Sequence, residues 1–249
     1  MKKNSLTFSV LFVALVFMVI MRNAVKNNKF TCSNYIMNTY TYIILGIGIV
    51  YFIVELLENN SKIAKTSGMF VFSSIFLFLI LFALMWTSPD QLLLRHVLWT
   101  TFVILIGITV FPLVSDMKKS GNFNSALMST ALITIGIALF AYKNPDKNLT
   151  KNWHPYLFIG LIGLILLQLF NRLLDTKEWS WISYVCVVLF SAMLLHDTER
   201  LNMIAKACKE GVKGVKGVNV PNIKNIPPDY IRDSLSIFLN IINLFTGFR

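Results

Sequence analysis

Charge is scarce in this chain. Asp, Glu, Lys and Arg make up 14% of its 249 residues against 55% hydrophobic residues, and the mean hydropathy is +0.64. Soluble domains carry about 25% charged residues, so a soluble globule is excluded. Acid is scarcer than base: 12 Asp and Glu face 23 Lys and Arg, for a net charge of +11. A cationic balance raises nucleic acid as a partner, but the bases sit in short loops between apolar runs rather than in one patch interleaved with exposed aromatics. The composition therefore points to positive loops beside a lipid bilayer and to no nucleic acid. Cysteine is rare too. Cys32, Cys186 and Cys208 are isolated, with no CxxC and no His at metal spacing, which supports neither a disulfide framework nor a zinc site. There is no HExxH, no Gly-Ser nucleophile paired with a buried His, and no pair of carboxylates that the sequence places face to face. An enzyme is not expected, nor a metal or cofactor. Also missing are the roughly 10-residue alternating segments of a membrane β-barrel and the inverted repeats of a coupled transporter.

What the chain has is helix-length apolar runs. Hydrocarbon about 30 Å thick takes ~20 apolar residues per helix, and eight candidate spans follow. Leu6 to Met21 is a short span preceded by Lys2 and Lys3. A signal peptide would also start this way, but the following RNAVKNNKF has a weak cleavage site and restores positive charge, favouring a retained span. The others are Tyr35 to Leu57, Met69 to Ser88, Val97 to Ser115, Ala126 to Tyr142, Pro155 to Leu174, Trp179 to Leu201 and Tyr230 to Phe248. The expected fold class is thus all-α, a polytopic membrane helix bundle. In the fourth span, Gly107 and Pro112 predict a kink or a close helix contact. Arg172, with Gln168 and Asn171, crowds the end of the sixth. It either snorkels to the interface or serves as a gating partner for a carboxylate.

Orientation follows from the basic residues. With eight spans, one side of the membrane holds Lys2, Lys3, Lys62, Lys65, Lys118, Lys119, Arg172, Lys177 and Arg249, nine of the 23 Lys and Arg, leaving 14 for the other. The richer side is cytosolic by the positive-inside rule. Loops 22–34 and 202–229 then lie in the cytosol. A sequon, Asn148-Leu149-Thr150, falls on the same side, so sugar on Asn148 would invert this topology.

Polar residues inside apolar helices need a reason, because a charge at hydrocarbon depth costs about 2.5–3.5 kcal/mol by insertion scales. Asp197 ends the seventh span. On the eighth, Asp233, Ser236, Asn240 and Asn243 are spaced i, i+3, i+7 and i+10 and share one face. That face is expected to look at Asp197. His196 points about 100° away from its neighbour Asp197, so lipid or cytosolic exposure is expected for it.

The residues LFSAMLLHDTERL (Leu189 to Leu201) and DYIRDSLSIFLNIINLF (Asp229 to Phe245), with GITVFPLVSDM in the fourth span and YLFIG opening the sixth, resemble the transmembrane Bax-inhibitor-motif family. This group contains Bax inhibitor, Lifeguard and the Golgi anti-apoptotic proteins. The resemblance divides the chain into residues 1–34, an extra N-terminal hydrophobic segment and cytosolic linker, and residues 35–249, a seven-helix Bax-inhibitor-like membrane domain. It implies a multi-pass protein of intracellular membranes, endoplasmic reticulum or Golgi, with the plasma membrane as the other option. Such a protein lets Ca²⁺ leak as the permeant ion and suppresses apoptosis, with apoptosis-regulating membrane proteins as partners.

The family's pore is controlled by two facing aspartates that share a proton, since like charges in low dielectric cannot both ionise cheaply. Asp197 matches the first. Asn240 stands where the second belongs and can neither titrate nor offer calcium a carboxylate, so weaker calcium affinity and blunted pH gating are expected. Depth along the last helix offers Asp233 as a replacement partner. The plainer alternative makes Asp233 an interfacial carboxylate paired with Arg232, Arg200 or a loop lysine. The main functional alternative is a non-conducting membrane adaptor of the same fold that inhibits cell death through partner proteins.

Overall fold

The computed structural model describes residues 2–26, 29–59, 67–144, 149–173, 180–210 and 229–248. Among these the chain forms eight helices: α1 (Lys2–Ala24), α2 (Tyr35–Asn59), α3 (Ser67–Trp86), α4 (Leu92–Lys119), α5 (Phe123–Lys143), α6 (His154–Leu173), α7 (Ser180–Glu210) and α8 (Tyr230–Gly247). Each apolar run of the sequence lies on one of them. Between α1 and α2, β1 (Val25–Lys26) and β2 (Lys29–Phe30) pair antiparallel, an addition that residues this polar do not announce. Tyr35–Asn59, Leu92–Lys119, Phe123–Lys143 and Trp181–Cys208 are long and apolar enough to cross a membrane. Leu11–Ala24, Phe72–Trp86 and His154–Gln168 are shorter apolar helices.

The start of α4 and the end of α7 move furthest outward from the sequence expectation. α4 begins at Leu92 rather than Val97, taking Arg95 and His96 into the helix, because Asp229 neutralises the arginine (2.8 Å). α7 continues past Leu201 to Glu210 through IAKACKE, whose Ala, Lys and Glu are good helix formers. Pro112 lies inside α4, and the helix runs on to Lys119.

The residues fall into two compact units, one of Met1–Asp116 with Ala205–Leu235, the other of Met117–Ile204 with Ser236–Arg249. In the first, α1 packs along α2, and Tyr42, Leu45, Trp99, Phe102 and Val103 are buried. Gly107 lets α4 approach α2: a Cβ there would lie 2.9 Å from Ile53 Cβ and 3.4 Å from Val50 Cα. In the second, Phe190 and Leu194 of α7 are buried together with Ile237, Phe238 and Leu244 of α8. The two helices close tightly at the end of α8, where a Cβ on Gly247 would come within 3.2 Å of Cys186 Sγ. Large apolar side chains remain exposed on α3 (Phe78, Leu79, Phe82), α5 (Leu132, Ile135) and α6 (Phe158, Ile159, Ile165). Such continuous apolar exposure is what a lipid environment requires.

Candidate functional site

The second unit holds a carboxylate fixed by neutral donors. Asp197 sits on α7, half-buried, and its Oδ2 accepts from Ser236 Oγ (2.5 Å) and Asn240 Nδ2 (2.7 Å), both on α8. Ser236 and Asn240 are one turn apart, a rise of about 6 Å, so their side chains meet the carboxylate from successive turns. Asn240 is 3% exposed, and burial leaves its amide little alternative to a protein acceptor. Charge-assisted hydrogen bonds of this kind are worth about 1.5–3 kcal/mol each, comparable in sum to the cost of placing the charge there.

Of the four polar residues on the shared face of α8, two reach Asp197. Asn243 contributes its backbone carbonyl elsewhere, accepting from Cys186 Sγ (3.8 Å) and Thr246 Oγ1 (2.9 Å). Asp233 belongs to the first unit, where its Oδ2 accepts from the Tyr35 hydroxyl (2.7 Å). Asp233 lies seven residues before Asn240, a rise of about 10.5 Å along the helix. Asp233, offered by depth as a replacement partner, thus has a tyrosine from the start of α2 at its Oδ2. The side chain of Arg172 lies outside the described residues, as does Asn148 of the sequon.

A second acid stands two residues beyond Asp197. Glu199 is 5% exposed, and its Oε2 accepts from the backbone N–H (3.1 Å) and hydroxyl (2.7 Å) of Thr150. The Thr150 oxygen lies 3.0 Å from His196 Nδ1 and, having spent its proton on Glu199, accepts from that nitrogen. His196 is therefore half-buried and bonded, not free in lipid or cytosol as its position on the helix had suggested. Its ring also stands 5.8 Å from that of His154 at the start of α6.

The first unit holds the start of α8. Asp229 caps the helix, its Oδ1 accepting from the Arg232 N–H (3.1 Å) while its Oδ2 pairs with Arg95 of α4 (2.8 Å). The Tyr35 hydroxyl accepts from Asp229 N (3.1 Å) as it donates to Asp233. Tyr230, fully buried, donates to the Thr31 carbonyl and accepts from Asn38 Nδ2 (3.3 Å). Its ring packs against Tyr35 (4.6 Å) and Phe30 (5.1 Å). Beside this cluster Cys32 and Cys208 form a disulfide. This corrects the expectation from cysteine spacing, because a sequence separation of 176 gives no local signal that two chain segments meet.

Sequence reasoning missed Arg95, Asp229, Tyr35 and Glu199. Two left a trace: an arginine inside LLLRHVLW needs a counter-charge, and an Asp after two prolines at the head of a helix is a capping residue.

An all-α arrangement of apolar helices with lipid-facing side chains and a few bonded carboxylates defines a multi-pass membrane helix bundle. Residues 32–248 match the family described as inhibitor of apoptosis-promoting Bax1, and the chain belongs to this Bax inhibitor-1 family. The match covers most of the chain and begins after α1. No curated protein matches it.

Proposed function

We propose that this Bax-inhibitor-like membrane protein regulates ion homeostasis, with Asp197 as the control point of a calcium leak, and thereby suppresses apoptosis. The observation that carries the reading is the pairing of Asp197 with Asn240 at 2.7 Å, on the two helices the family resemblance assigns to its gate. An amide donates to the carboxylate where the family has a second acid. The site then lacks the like-charge coupling and the second carboxylate of an acid pair, so calcium affinity is weaker and the pH dependence of flux flatter than for two aspartates. The protein works as a channel or regulator rather than an enzyme, takes no cofactor, and resides in endoplasmic reticulum or Golgi membranes.

The same pairing favours a second reading, a non-conducting adaptor that acts through apoptosis-regulating membrane proteins. A carboxylate already satisfied by two donors is a poorer cation ligand. Calcium flux into vesicles reconstituted with the purified chain separates the two. Wild type should leak calcium with little change between pH 6 and 8. Asn240→Asp should make the flux fall steeply on one side of that range, and adding Asp197→Asn to Asn240→Asp should abolish that dependence. Folded protein that passes no calcium in any variant supports the adaptor; an unchanged pH profile in Asn240→Asp refutes the gate.

A further inference from the structure

We propose that the Cys32–Cys208 bridge is a reversible exchange site for a glutathione-class thiol, coupling the redox state of the cytosol to the docking of α8. Four observations converge on it. Cys32 precedes α2 and Cys208 lies near the end of α7, with six helices between them. An even number of crossings returns both to one face, as the bridge demands, and the basic-residue count makes that face cytosolic. Cytosolic thiol pools keep ordinary cysteine pairs reduced, and disulfides that form there are mostly transient or redox-sensing. Both cysteines are half-buried rather than sealed, so a small thiol can reach them. Arg22 and Lys26 stand exposed nearby in the chain, and Lys206 lies half-buried two residues before Cys208, a basic setting that suits the anionic tripeptide thiol.

The bridge also sits where α8 is held. The backbone carbonyl of Thr31, immediately before Cys32, accepts from the Tyr230 hydroxyl, and that of Ser33, immediately after it, accepts from Asn38 Nδ2 (2.8 Å) and Tyr230 (3.3 Å). The disulfide therefore tethers the short segment that supplies the acceptors for the first residue of α8. In the exchange, a thiolate attacks one sulfur, the Cys–Cys bond breaks, and a mixed disulfide forms as the other cysteine leaves as a thiolate and takes up a proton. A second thiol attacks the mixed disulfide, releasing the oxidised dimer and the remaining Cys thiol. Two electrons pass from two tripeptide thiols to the bridge. The inference does not depend on whether Asp197 handles ions.

The test uses the full chain in lipid nanodiscs, equilibrated at a series of reduced-to-oxidised glutathione ratios, trapped with acid, alkylated and read by mass spectrometry. Buried Cys186 reports denaturation, since it should alkylate only after unfolding. Cys32 and Cys208 should convert together between bridge and thiols within cytosolic ratios, without denaturant, and re-form on oxidation. Hydrogen exchange at residues 229–235 should quicken about tenfold on reduction, because a long-range tether is lost while the tyrosine bonds remain. Cys32→Ser should show the fast exchange at every ratio, and if it does not fold, the wild-type titration alone decides. A bridge that persists in reduced glutathione, thiols that never pair in oxidised glutathione, or exchange at 229–235 that ignores the redox state would each overturn the proposal.

Discussion

Arg95 is the residue whose loss should be felt most. Its Nη2 lies 2.8 Å from Asp229 Oδ2, and the two side chains are 4% and 10% exposed. With charge centres about 4 Å apart and an effective dielectric near 20, the attraction is about 4 kcal/mol. Removing one partner of such a pair costs about 3–5 kcal/mol, because the survivor stays buried without compensation. Arg95→Met keeps length and apolar volume while deleting the charge, and Asp229 then retains the Arg232 N–H as a donor. At roughly 2–4 °C per kcal/mol for a chain of this size, thermal unfolding in detergent, followed by tryptophan fluorescence, should shift down by about 10 °C. Arg95→Met with Asp229→Asn removes both charges and should recover at least half of the loss. A single variant within ~1 kcal/mol of wild type, or a double variant as unstable as the single, would show that the pair is solvated and that α8 is not anchored through it.

Two further substitutions test the packing and the second acid. Thr150→Val keeps shape but deletes the hydroxyl donor to Glu199, and the cost should be about 1.5–3 kcal/mol. Adding Glu199→Gln should return part of it, and an unaltered melting temperature for Thr150→Val would mean water replaces the hydroxyl. Gly107→Ala places a methyl group 2.9 Å from Ile53 Cβ. Overpacking should destabilise it by about 1–3 kcal/mol, whereas helix propensity alone would stabilise it by up to ~1 kcal/mol, so the sign of the shift decides.

Helix positions were legible because the signal that places them is local. A run such as LIGLILLQLF can satisfy its backbone inside a bilayer only as a helix, and nothing distant in the chain alters that. The approach of α7 and α8 at Asp197 was partly legible for a related reason: a polar face recurring every three to four residues on an apolar helix needs a partner, and Asp197 was the nearest acid. Which members of that face would engage it was not, because depth along a helix depends on where the helix is anchored. The anchors are Tyr35, Arg95 and Asn38, from helices 130 or more residues earlier in the chain. Cys32 and Cys208 were illegible for the same reason in sharper form, since each is an unremarkable cysteine in its own segment. Glu199 is the instructive miss. In HDTERL it reads as one more interfacial charge, and only the fold of the turn before α6 brings Thr150 to it.

Under the proposed reading, an amide at Asn240 in place of an acid changes what must happen for Asp197 to meet a cation. Two carboxylates in low dielectric hold a proton between them, and loss of that proton drives them apart. Asp197 with Ser236 and Asn240 has no such internal repulsion. Its two hydrogen bonds from neutral donors, worth together about 3–6 kcal/mol to an ionised carboxylate, hold α7 to α8 there. Under the proposed reading, a calcium ion reaching Asp197 must displace both donors and finds one carboxylate where a relative offers two. Opening should therefore respond to forces that move α8 as a rod, at its Tyr230 end, more than to pH. Variants of Tyr230 and Cys32 should alter flux more than a two-unit change in pH does, and the reverse ranking would return control to the titration of Asp197 itself.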